Sequence, residues 1–283
     1  MSLGLVSLLR AAALAVLLLP AAPSHAAPEA LVDAYMQKSG LVEQLAQIEG
    51  GVLLGIDHAQ AQPQVPRLSG EQLDRLRSAI RAAFGADRLR GAVRSQLVAS
   101  LPVADTEQVL TWLDTPLGKR VTAIEEAGST PEAHQRMTEV APKALAALPP
   151  SRRAELERMM KASGVVEVSA SIALNQQLGI MRGLALSAGL PDTTSSEEAK
   201  AKLALYRSQI AGALGPSLLA NAAVLYGPLS DDELHAYAVM LELPSSRRVT
   251  EATGAALDKA LSAAAIDLGR RIGDSTKPAP TTT

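Results

Sequence analysis

The chain contains a copy of part of itself. Met36 to Ile56 aligns without a gap to Met160 to Ile180 at an offset of 124, and ten of the 21 positions are identical. The identities include Ser39/Ser163, Gly40/Gly164, Val42/Val166, Glu43/Glu167, Ile48/Ile172 and Gly55/Gly179. A second match follows at an offset of 128. It pairs Leu113 with Leu241, Pro116 with Pro244, and Arg120-Val121-Thr122 with Arg248-Val249-Thr250. Asp114/Glu242 and Lys119/Arg247 keep their charge type. The growth of the offset by four places a small insertion in the second copy. Solenoid repeats have periods of about 20–50 residues, whereas a unit of about 120 residues has the size of a small domain. The expected organisation is two homologous halves, 28–148 and 151–273, joined at Leu148-Pro149-Pro150-Ser151.

These halves are expected to be all-α and packed as a helical bundle. Ala and Leu account for 51 and 43 of 283 residues, and both are strong helix formers. Seventeen prolines and twenty glycines then act as punctuation. Ser39-Gly40 closes a first helix. Leu41, Leu45, Ile48, Val52 and Ile56 form the 3.6-period stripe of the next. Ser69/Gln72, Ser195/Glu198 and Ser230/Glu233 have capping-box spacing. Leu89, Val93 and Leu97 mark another helix, and Thr115-Pro116 and Thr130-Pro131 restart the chain twice. Pro142 is expected to kink the helix that contains it. From Pro244 one helix is expected to run to Gly273, with a stripe of mostly small residues: Val249, Ala252, Ala256, Ala260, Ala264 and Leu268.

Residues 1–26 read as a secretory signal. Arg10 precedes the apolar run Ala11–Leu19, Pro20 breaks it, and Ser24-His25-Ala26 offers small residues at a cleavage site. The run is shorter than the roughly 20 residues that span a bilayer, and no later segment reads as long and apolar enough to do so. The expected product is an exported, periplasmic or secreted chain, soluble after cleavage. The absence of cysteine excludes a lipid-modified N-terminal cysteine, disulfides and thiolate metal sites. Residues 274–283 cannot bury apolar area and read as a disordered tail.

The segment Glu107 to Arg120 (EQVLTWLDTPLGKR) resembles the signature of a bacterial helical family, domain of unknown function 2059. The matching marks are an acidic helix start, an apolar helix, and a Thr115-Pro116-x-Gly118 turn followed by Lys119-Arg120. The second copy, Leu243-Pro244-Ser245-Ser246-Arg247, keeps the proline and the basic residue but loses the hydroxyl before proline and the glycine. The resemblance implies an exported helical protein and supplies no active site.

No constellation in the sequence specifies catalysis, a metal or a cofactor. His58, His134 and His235 fall in no HExxH pattern. Asp57-His58 is the sole adjacent acid–histidine pair, and no nucleophile elbow accompanies it. A net charge of −2 and six aromatics argue against nucleic-acid binding and against a large aromatic-lined cleft. Trp112 reads as a packing residue. Gly51 and Gly55 form a GxxxG on an apolar helix, which reads as close packing within the chain. The weak candidates for anion or membrane-surface contact are Arg77, Arg81, Arg88 and Arg94 in the arginine-rich stretch 75–94, and the repeated Arg120 and Arg248. The expected function is a binding or interaction module of the cell envelope. Its partner would be an envelope protein or a small apolar ligand. A hydrolase with an unrecognised site and a peripheral membrane binder are the alternatives.

Overall fold

The computed structural model describes residues 27–190 and 197–275. The signal segment, Ser195 and residues 276–283 lie outside them. The described residues form twelve α-helices and no strand. The first seven are α1 (Glu29–Lys38), α2 (Leu41–Ala61), α3 (Gly70–Phe84), α4 (Ala86–Ser100), α5 (Val103–Leu113), α6 (Pro116–Gly128) and α7 (Pro131–Ala147). They are followed by α8 (Pro150–Ser163), α9 (Val165–Ser187), α10 (Glu197–Leu225), α11 (Asp231–Glu242) and α12 (Pro244–Ser275).

The helix boundaries follow from local chemistry. Gly40 and Gly164 both adopt left-handed backbone, with φ of 70° and 62°. The hydroxyls of Ser39 and Ser163 donate back to Met36 O and Met160 O. At Gly40 a β-carbon would also come within 2.8 Å of Glu126 Cγ, while the space at Gly164 is open. Two capping boxes are closed. Ser69 Oγ accepts from Gln72 N and Gln72 Oε1 accepts from Ser69 N; Ser230 and Glu233 do the same. Thr115 Oγ1 accepts from Gly118 N at 3.0 Å and donates to Trp112 O at 2.7 Å. Pro116 occupies the first turn of α6, where its missing N–H costs nothing. Gly118 is required because a β-carbon there would lie 2.8 Å from Leu113 Cα. At the aligned position 128 residues on stands Ser246, which is buried and donates to Met240 Sδ.

A continuous apolar core joins helices from both ends of the chain. Val32, Leu45, Ile80, Leu89, Val93, Leu97, Val121, Leu156, Leu234 and Val249 are fully buried within it or nearly so. Removing each such side chain from water contributes about 1.5–3 kcal/mol. α7 packs on α10, while α12 packs on α3, α4 and α5 as well as on α9. Two ion pairs also run between helices distant in sequence. Arg120 of α6 reaches Glu233 of α11 at 2.7 Å, and Arg248 of α12 grips Asp105 of α5 through two bonds of 2.6 Å. Arg120 and Arg248 are 128 positions apart, and so are Asp105 and Glu233.

The tightest crossing is that of α9 with α12. A β-carbon at Gly183 would lie 2.7 Å from Arg270 N and 2.8 Å from Gly269 Cα; one at Gly269 would lie 2.9 Å from Ile180 C. Gly179 and Gly273 face the same seam. Gly273 therefore does not stop α12, which continues to Ser275. It serves instead to admit Ser187, whose Cβ would stand 2.6 Å from its β-carbon. The first residues assigned to a disordered tail, Asp274 and Ser275, are helical.

Lys202–Leu225 of α10 is long and apolar enough, by length and composition, to cross a membrane. This corrects the expectation that no later segment is. In the fold α10 packs on α7, α9 and α8.

Candidate functional site: an interhelical cavity

Gly51 and Gly55 of α2 do not pack closely. A β-carbon at either would meet nothing within 4 Å. At the matching Gly179 of α9, a β-carbon would lie 2.9 Å from Ala265 Cβ. Gly51 and Gly55 thus line open space, while Gly179, which aligns with Gly55, closes a helix crossing. The reading of Gly51 and Gly55 as close-packing residues is corrected accordingly.

That open space is a cavity of about 1020 Å³. Its walls come from residues of α1, α2 and α5 through α12. Leu45, Ile48, Leu54, Met159, Met160, Leu218 and Leu257 make them mainly apolar. The exposed lining residues are Gly51, Gly55, His58, His134 and Gln135. All belong to α2 or α7, which places the opening between those helices.

Four aromatics that are far apart in sequence meet at this cavity: Tyr35, Trp112, Tyr226 and Tyr237. The Trp112 and Tyr237 rings stack at 5.4 Å and 15°. Tyr226 tilts against Tyr237 at 5.9 Å. Few aromatics therefore do not preclude an aromatic wall, because the fold gathers four of six in one place.

The polar centre is Glu125 of α6. Tyr226 and Tyr237 both donate their hydroxyls to Glu125 Oε1, at 2.7 and 2.8 Å. Tyr35 hydroxyl pairs with Thr253 Oγ1 at 2.9 Å on the same lining. Burial pushes the Glu125 carboxyl above its ordinary value of 4.5, and the two tyrosine hydroxyls pull it only partly back. Burial, and then the nearby Glu125 charge, push Tyr226 and Tyr237 well above the ordinary tyrosine value. Sequence reasoning missed Glu125. The available signal was its position: it falls four residues after Val121, on the stripe that α6 buries.

The proposed arginine sites are placed differently. Arg77 pairs with Asp57, Arg81 with Glu49, Arg88 with Asp267, and Arg94 with Asp33 and Glu29. Arg120 and Arg248 form the ion pairs described above. Each of the six is met by a carboxylate of the fold, and none lines the cavity. Asp114 and Glu242 pair with Lys38 and Arg158. The Asp57-His58 pair is divided, since Asp57 accepts from Arg77 while His58 stands at the cavity mouth. His134 Nδ1 lies 2.9 Å from Thr130 O. His235 contacts Glu155 and Arg158 away from the cavity. Among the described residues, no group of three or more histidines and acids is arranged to hold a metal.

A raised carboxyl pKa has a definite sign in stability. It contributes stability that is full below the unfolded value and is lost as pH rises through the folded value. Asp33, Asp105, Asp114 and Glu242 are lowered by their basic partners and act in the opposite direction. Glu125→Gln should therefore gain stability relative to wild type as pH rises from about 4 to 8. Denaturant unfolding of both proteins across that range measures it. A difference independent of pH would contradict the placement of Glu125.

The chain matches no protein-family model, no curated protein and no solved structure.

Proposed function

We propose that the protein is a binding module that holds a small, mainly apolar ligand in the cavity between α2 and α7. The observation that carries this reading is the cavity itself. Its volume lies at the upper end of the roughly 300–1,000 Å³ of small-molecule sites. Its walls are apolar, and a few polar groups converge at Glu125. An envelope protein as partner has no comparable feature in its favour.

The same proposal includes export and duplication. Export is supported by the charge, apolar run and small-residue site of residues 1–26, and by the resemblance of Glu107–Arg120 to domain of unknown function 2059. Duplication is supported by features beyond the sequence match. The Ser-Gly turns at 39–40 and 163–164 share backbone and hydrogen bonds. Arg120–Glu233 and Arg248–Asp105 join matching positions reciprocally across the halves. Such reciprocity is the pattern of two-fold self-association, here within one chain.

The sole tryptophan is at the cavity wall. The neutral apolar dye N-phenyl-1-naphthylamine is therefore expected to bind one saturable site and to quench Trp112 emission as it fills. Dye binding that does not saturate, or that leaves Trp112 emission unchanged, would contradict the reading.

A further inference from the structure

The cavity has a carboxyl group and no fixed cation. Among the described residues that line it, Glu125 is the sole Asp or Glu, and there is no Lys or Arg. The protein itself spends two donors on Glu125 Oε1. Oε2 has no such partner, and it is not among the polar atoms sealed from solvent without one. Glu125 itself lines the cavity. The adjacent Glu126 adds like charge and no compensation. A carboxylate in a mainly apolar cavity is costly unless an opposite charge meets it. The fold leaves that charge to be supplied from outside. The Tyr237 ring, whose hydroxyl holds Oε1, is stacked on Trp112, and electron-rich aromatic faces attract cations. An anionic head would meet Glu125 repulsion and, among the described lining residues, find no Lys or Arg, with His58 and His134 standing only at the mouth.

On the reading that the cavity binds an apolar ligand, we propose that the ligand class is amphiphilic amines. The protonated amine donates to Glu125 Oε2, and the apolar body lies along the leucine and methionine walls. The Tyr226 and Tyr237 hydroxyls act as positioning groups, fixing the carboxylate so that Oε2 is presented to the head.

The test displaces N-phenyl-1-naphthylamine from the protein with dodecylamine, dodecanol and dodecanoate, at about pH 8, where a primary alkylamine is still protonated. Dodecylamine is expected to displace the dye at a concentration at least about tenfold below that needed for either of the others. In Glu125→Gln this advantage of dodecylamine over dodecanol should disappear. Tyr226→Phe, which keeps the charge, should retain a preference for the amine. Equal displacement by all three compounds in the wild type overturns the amine inference and leaves the cavity reading standing. That comparison needs no variant, so a misfolded Glu125→Gln protein would not shield the inference. If neither the dye nor any of the three compounds binds, the cavity reading fails and the inference fails with it.

Discussion

Replacing Gly183 or Gly269 with alanine is expected to destabilise the protein by about 1–3 kcal/mol each, the usual cost of forcing atoms into a packed interior. In an exposed helix the same change would stabilise by about 1 kcal/mol, because alanine is the better helix former. The sign reverses here because the new β-carbon falls on backbone. At Gly183 it meets Arg270 N and Gly269 Cα; at Gly269 it meets Ile180 C and Gly183 Cα. Backbone cannot rotate away as a side chain can, so α9 and α12 must separate. The two glycines face each other, so their effects should not add: once one has parted the helices, the second costs less. Urea unfolding of the single and double variants measures this. Alanine at either site with no loss of stability would contradict the crossing.

Gly55, whose aligned partner Gly179 lies on that seam, should behave oppositely. Gly55→Ala is expected to stabilise the protein by about 0.5–1 kcal/mol, since glycine in a helix interior is costly and nothing crowds the added methyl group. The contrast with Gly179, which aligns with Gly55 but lies against α12, turns on the partner helix alone. Larger side chains at the same place should close the cavity. In the double variant Gly51→Leu/Gly55→Phe both new side chains stand at the exposed margin between α2 and α7. It should fold with at least wild-type stability and bind N-phenyl-1-naphthylamine at least about tenfold more weakly. A tight-binding, well-folded double variant would mean that the dye enters elsewhere.

These two expectations also mark where sequence reasoning succeeds and where it stops. Helices were legible because their signals are local. The stripe Leu89, Val93 and Leu97 is buried on α4, and the Ser69 and Ser230 caps close as spaced. Glycines were legible only as punctuation. Whether Gly273 ends a helix or admits Ser187 depends on a neighbour 86 positions away in the chain. Gly55 and Gly179 carry the same sequence signal and have opposite surroundings. The arginine-rich stretch looked unbalanced because its carboxylates, Asp33, Glu49, Asp57 and Asp267, come from α1, α2 and α12. The site was least legible of all. Glu125, Tyr226 and Tyr237 are joined by two hydrogen bonds that span about a hundred residues. Only the burial stripe of α6 hinted that Glu125 points inward.

The central claim is that α2 leaves a ligand cavity at Gly51 and Gly55, where α9 at the aligned Gly179 instead closes on α12. The most direct test titrates N-phenyl-1-naphthylamine into wild type and into Gly51→Leu/Gly55→Phe, reading dye fluorescence and Trp112 quenching together. The account expects one saturable site in the wild type, with the two signals moving in parallel, and the loss of both in the double variant. Equal dye binding in both proteins, or a dye signal that leaves Trp112 emission untouched, would contradict it.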